Sequence, residues 1–163
     1  GAWTNVVSAF GRNNNNNDGL ENGNGLFVRN GFAPQSWETD AVQAGKQIFT
    51  ASMRDMRDGT SNTIVLGEAI PRKSVYTWWY YWNAACATAA IPLNYEPATA
   101  TTDTAFAASS NFGYNYGFRS QHSGGGNFGL GDGSVRFISD SVALWEVYYA
   151  LATISGRELI EEY

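Results

Sequence analysis

Apolar positions fall in short runs separated by glycine, asparagine and proline, the pattern of a chain built from brief strands. The strongest run is "SVYTWWYYW". At a period of two, Val75, Thr77, Trp79 and Tyr81 point to one side and Tyr76, Trp78, Tyr80 and Trp82 to the other. Both sides are aromatic, so this strand is expected to be covered on both faces. Thr63 to Leu66 reads as a second buried strand, ending near Gly67-Glu68 and following the breaker pair Asp58-Gly59. Met53 and Met56, three apart, predict a helical turn before it. "GLFVRNGF" and "FGYNYGFRS" give further strand signals. In "FGLGDGSVRFIS", Phe128 and Leu130 stand on one side of Asp132-Gly133 and Val135 and Phe137 on the other, which predicts a hairpin. Val142, Trp145, Tyr149 and Ala152 lie at helical spacing. They predict a carboxy-terminal helix with Ser141 or Asp140 as its cap and a break at Gly156.

Between these elements lie long polar connections. Positions 12–25 form an Asn/Gly-rich tract that has no apolar surface to bury and reads as an exposed loop. "APQSWETDAVQAGKQ" is a polar linker, and 84–111, interrupted by Pro92 and Pro97, reads as a long irregular connection. The expected architecture is a single domain over 1–163. Its class is α+β, mainly β, with an antiparallel sheet and the carboxy-terminal helix packed on it.

Composition narrows the function classes. Charged and aromatic residues each make up 15% of the chain, beside 18 glycines, a profile expected of a β-rich extracellular protein. The formal net charge of −5 disfavours a nucleic-acid backbone or an anionic membrane surface as partner. Cys86 is the lone cysteine, so no internal disulfide forms. No apolar run reaches the roughly 20 residues of a membrane span. The chain opens on Gly1-Ala2-Trp3, which reads as a processed or truncated product.

Candidate chemistry centres on "QHSGGGNFGLGDGSVRF". His122 is the single histidine, and an imidazole is the side chain suited to a general base or metal ligand near neutral pH, with Asp132 as partner. Convergent ligands are missing from the sequence around it, so the favoured reading is structural: the two ring nitrogens brace a loop through Asp132 or a backbone carbonyl. Asp132-Gly133 is the hairpin turn. The glycines do not form a phosphate loop, because no P-loop lysine follows. "DMRDGTSNT" offers Asp55 and Asp58 as weak calcium candidates. The preferred account is a turn closed by Asp58, Gly59 and Asn62 that launches the next strand. Glu68 has no carboxylate partner for glycosidase-type chemistry.

Three segments in this order, "MRDGTSNTIVLGE" (56–68), "HSGGGNFGLGDGSVRFI" (122–138) and "YYALATISGREL" (148–159), resemble the planctomycete prepilin-like family whose members carry a His, nine residues, Asp-Gly motif. The resemblance covers the chain from about Gly25 onward. It implies a type IV pilin-like or pseudopilin-like globular head. The hydrophobic amino-terminal helix of that family is not found in this chain, so membrane contact is expected only through that missing helix.

The function expected is that of a non-enzymatic structural protein, extracellular or on the cell surface, assembling as a homo-oligomer or with related pilin-like subunits into filaments. No catalytic residue and no cofactor is expected, with calcium left open. One alternative is a carbohydrate-binding module that stacks glycans on the aromatic run, Tyr76, Trp78, Trp79, Tyr80, Tyr81 and Trp82, which otherwise serves as an interface or core. The other is a hydrolase using His122 and Asp132.

Overall fold

A computed structural model describes residues 2–3, 25–26, 52–73, 87–89, 91–96, 116–158 and 160. Among these residues are five strands: β1 (Ala2–Trp3), β2 (Ile64–Gly67), β3 (Ala87–Thr88), β4 (Gly125–Leu130) and β5 (Val135–Ser139). They form a three-stranded antiparallel sheet in the order β2-β4-β5 and a small parallel pair, β1 with β3. The mainly β expectation and the antiparallel sheet are thus observed. The aromatic run Tyr76–Trp82, Cys86 and nearly all of the 12–25 tract lie outside the described residues.

The hairpin β4–β5 forms where the sequence placed it. Leu130 and Ser134 close a three-residue loop: the Leu130 N–H donates to the Ser134 carbonyl at 2.9 Å and the Gly133 N–H to the Leu130 carbonyl at 3.0 Å. Gly133 sits at φ 86°, the left-handed position this kind of loop requires, and a side chain there would be strained. The register continues through Gly129↔Val135, Asn127↔Phe137 and Gly125↔Ser139. Beneath it, residues 60–63 receive the loop: Asp132 N–H donates to the Thr60 carbonyl and Gly131 N–H to the Thr63 carbonyl.

One face of this sheet is the core. Ile64, Phe128, Leu130 and Ile138 are buried and pack with Phe118, Tyr148, Tyr149 and Leu151. Phe128 meets the rings of Phe118 and Tyr148 edge-on, at centroid distances of 5.2 and 6.1 Å, the geometry aromatic quadrupoles favour. β2 was expected to be buried throughout, but Leu66 is exposed. An irregularity between Ile64 and Leu66 shifts the pairing from Leu130 to Gly129, and β2 is one of the sheet's two edge strands. Val65 then packs on a second cluster of Leu26, Met56 and Ile154.

The carboxy-terminal helix is corrected, and the described parts of two other segments add detail. The carboxy-terminal helix is two short turns, a π turn over Leu144–Tyr148 and a 3-10 turn over Ala150–Ala152, changing character at Tyr149 rather than at Gly156. Wide bonds from Tyr148 to Ala143 and from Tyr149 to Leu144 rotate the face. Tyr148 and Tyr149 therefore go inward, while Trp145 is left outside against the edge of Tyr149. Ala143 occupies the cap, and the Ser141 hydroxyl instead pairs with Ser139. Within 84–111, Ala87–Thr88 is strand, and Ala89, Ile91 and Leu93 are buried, so this stretch contributes to the core. Of "FGYNYGFRS", the described part 116–120 holds only an isolated bridge, Gly117 to Thr88. The expected turn at Met53 is present as a 3-10 turn over Met53–Asp55.

Candidate functional site

β4 explains the nine-residue spacing of the histidine motif. His122 lies just before this strand and Asp132 in the loop just after it. A six-residue strand rises about 17 Å end to end at roughly 3.4 Å per residue, so the two side chains serve opposite ends of one element. The partnership considered from the sequence is therefore not formed. Asp132 turns back on its own loop, its Oδ1 accepting the Ser134 N–H at 2.9 Å and the Ser134 hydroxyl at 2.7 Å. Those bonds hold the Asp132 carboxyl below the usual carboxylate range.

At the other end His122 meets Glu68. Its Nε2 lies 3.2 Å from Glu68 Oε1, with both side chains partly exposed. Glu68 Oε2 accepts the backbone N–H of Asn127 at 2.9 Å, and the Asn127 amide approaches Oε1 at 3.4 Å. The Glu68 carbonyl accepts the Arg119 N–H at 2.9 Å. Ser120 links the parts: its oxygen accepts the His122 N–H, its own N–H donates to Asn94 Oδ1, and its hydroxyl bonds the Glu68 carboxylate. Burial pushes the Glu68 carboxyl up, but the bonds from Ser120 and Asn127 and the charge of His122 outweigh it, leaving a net lowering.

Glycine makes room for this clasp. A β-carbon at Gly126 would stand 3.1 Å from Ser120 Cβ and 3.3 Å from Glu68 Oε2, crowding the carboxylate that braces Asn127. At Gly125 a β-carbon would collide with the Ile138 carbonyl oxygen. These two glycines answer a need for close approach between β4 and its surroundings.

Arg119 is the buried charge that sequence reading missed. Its guanidinium donates to the Gly117 carbonyl at 3.2 Å and to the Tyr95 carbonyl at 3.1 Å, joining two irregular segments. Burial pushes its pKa down to about 10. An arginine next to Phe118 and Ser120 gives no periodicity that would have marked it.

The calcium candidates are occupied by the protein itself. Asp55 accepts the Ser52 N–H and hydroxyl, both at 2.7 Å. Asp58 reaches across the fold to accept the backbone N–H groups of Gly156 and Arg157, each at 2.8 Å, and the Thr153 hydroxyl at 3.1 Å. Arg157 holds a left-handed φ of 62°, which aims successive N–H groups at one anion. Asn62 closes the turn by donating to the Asp58 carbonyl, and Gly59, at φ 98°, begins it. Among the described residues no group of three His, Cys, Asp or Glu side chains converges as a metal site.

The arrangement is thus a set of carboxylates saturated by local donors, suited to fixing loops against strands. Comparison with known proteins agrees with the motif reading only at the level of the family. No curated protein and no solved structure matches the chain. A family profile described as a protein of unknown function, DUF1559 (SBP_bac_10), matches residues 3–144. That match takes in the segments 56–68 and 122–138, begins well before Gly25 and stops short of 148–159. The chain belongs to this DUF1559 family.

Proposed function

We propose that the protein is a non-catalytic structural subunit of an extracellular or cell-surface assembly, the β-rich head of a prepilin-like protein that binds copies of itself or related subunits. The observation that carries this reading is the outer face of the sheet. Leu66, Val135 and Phe137 stand there at 56%, 69% and 50% exposure, in the two outer strands of one sheet, on either side of β4. Gly129, between Leu66 and Val135, adds no side chain to that row. Apolar side chains grouped in this way mark association surfaces, and their burial contributes roughly 25 cal/mol per Å².

The polar chemistry supports the same reading. Glu68, Asp58 and Asp132 each take donors from this chain: Glu68 ties the end of β2 to β4, Asp58 ties the turn before β2 to the carboxy-terminal segment, and Asp132 closes its own hairpin loop. Such clasps suit a head that must keep its shape under load. The test is sedimentation velocity over a wide concentration range, with electron microscopy of the concentrated protein. Concentration-dependent association and regular filaments or lattices are expected. A chain that remains monomeric at every concentration overturns the proposal.

A further inference from the structure

Among the described residues no further strand lies beyond β5, and the phase of its backbone shows which groups face that edge. The bonds at the two ends of the hairpin, Leu130 N–H to the Ser134 carbonyl and Asp140 N–H to the Gly124 carbonyl, fix the phase of the ladder. In an antiparallel pair the bonded positions recur every second residue, so Ser134, Arg136, Ile138 and Asp140 direct their backbone toward β4. Val135, Phe137 and Ser139 direct theirs the opposite way, off the sheet. Among the described residues nothing bonds the backbone of Val135 or Phe137, and β5 is the terminal strand of its sheet.

We infer that β5 pairs antiparallel with β5 of a second copy of this chain, about a two-fold axis through Phe137. The inference rests on the assembly reading above and names its partner and register. Only registers that set outward positions against outward positions make hydrogen bonds. A dyad at Arg136 sets the two Arg136 side chains against each other, which is repulsive. A dyad at Ile138 faces Val135 with Ser141, whose N–H is already bound to the Ser139 hydroxyl at 3.2 Å.

A dyad at Phe137 lessens both faults, since it moves the two Arg136 side chains from facing to diagonal positions and leaves the central Phe137 pair unobstructed. It pairs Phe137 with its own copy and Val135 with Ser139, forming about four backbone hydrogen bonds along the edge, because the Ser139 carbonyl already accepts the Val142 N–H at 3.2 Å. On the opposite face Arg136 lies one diagonal step from both Arg136 and Asp140 of the second copy, so each arginine can reach an aspartate that offsets the like charge. Arg136 and Asp140 are exposed and opposite in charge. The product is a continuous sheet whose outer face joins Leu66, Val135 and Phe137 of both copies, the self-complementary geometry of a two-fold dimer.

The test uses the full chain with Cys86→Ser and single new cysteines under mild oxidation. Bonded antiparallel partners lie about 5.5 Å apart at Cα, inside the range a disulfide spans. Phe137→Cys is expected to cross-link to covalent dimer, whereas Leu66→Cys, exposed but two strands away, is not. Val135→Cys and Ser139→Cys are expected to cross-link with each other in an equal mixture at least about tenfold more than either does alone, because only the mixed pair is apposed.

In parallel, Phe137→Lys places two ammonium groups at the dyad and should weaken association about a hundredfold by sedimentation, with circular dichroism unchanged. If the chain associates but Phe137→Cys cross-links no better than Leu66→Cys, the edge is wrong and the assembly reading stands. If the chain is monomeric throughout, both fall.

Discussion

The two faces of the β4–β5 hairpin are made of similar residues and do opposite things. On the inner face Phe128, Leu130 and Ile138 are buried against Phe118 and Tyr148. On the outer face Val135 and Phe137 point to solvent, opposite Gly129 and Asn127. Hydrophobicity alone does not distinguish Phe128 from Phe137; strand phase does, because neighbouring residues alternate faces. The inner face carries the stability of the domain, and the outer face is free to carry contact with another molecule.

The largest break in that comparison is Phe128→Ala. Removing a fully buried ring should cost about 3–5 kcal/mol, read as a fall in the urea midpoint. Phe137→Ala should leave the midpoint of the dilute protein within roughly 0.5 kcal/mol, since the ring is half exposed. Equal losses in the two variants would erase the distinction between the faces. Between these lies Gly125→Ala, whose β-carbon collides with the Ile138 carbonyl oxygen and approaches the Phe137 ring at 2.8 Å. Overpacking of this kind should cost about 1–3 kcal/mol by thermal melting, and Gly133→Ala should also lower Tm, through its φ of 86° instead of a clash.

Glu68 sharpens the comparison at the smaller end. Glu68→Ala removes the acceptor of the Asn127 N–H, and should cost about 1 kcal/mol, the low end for a charged hydrogen bond because the group is partly exposed. The pH dependence has a definite sign. The folded Glu68 carboxyl titrates below its ordinary value of 4.5, so its contribution is present above that pH and is lost as pH falls through the folded value. Asp55 and Asp132 are depressed as well and add to the same acid limb. The decisive measurement is therefore a difference: Tm against pH for Glu68→Gln should fall less steeply as pH drops below 4.5 than for the parent. Parallel profiles would remove Glu68 from the account.

The hairpin was legible from the sequence because its signals are local. Asp132-Gly133 between two alternating runs specifies a turn, and Gly133 takes the left-handed φ that such a loop requires. The turn after Met53 and the strand from Ile64 were readable for the same reason. The partner of His122 was not. Glu68 lies 54 positions earlier, and its carboxylate is brought to the histidine only when β2 and β4 pair. Asp58 was recognised as a turn residue, yet its bonds to Gly156 and Arg157 span nearly a hundred positions. The helical reading of 142–152 failed because i→i+5 bonds at Tyr148 and Tyr149 break the period of 3.6 on which the expected face depended.

The long reach of Asp58 also bears on where the folding unit stops. The family match ends at residue 144, but this carboxylate is satisfied by Thr153, Gly156 and Arg157, and Ile154 completes the cluster around Met56. A gene trimmed to the shared segment would strip one aspartate of its hydrogen-bond donors and open a gap beside a methionine. Expression boundaries drawn by similarity would then yield an unstable product, and those extended through Ile160 would keep the Asp58 bonds together with the packing of Ile160 on the core.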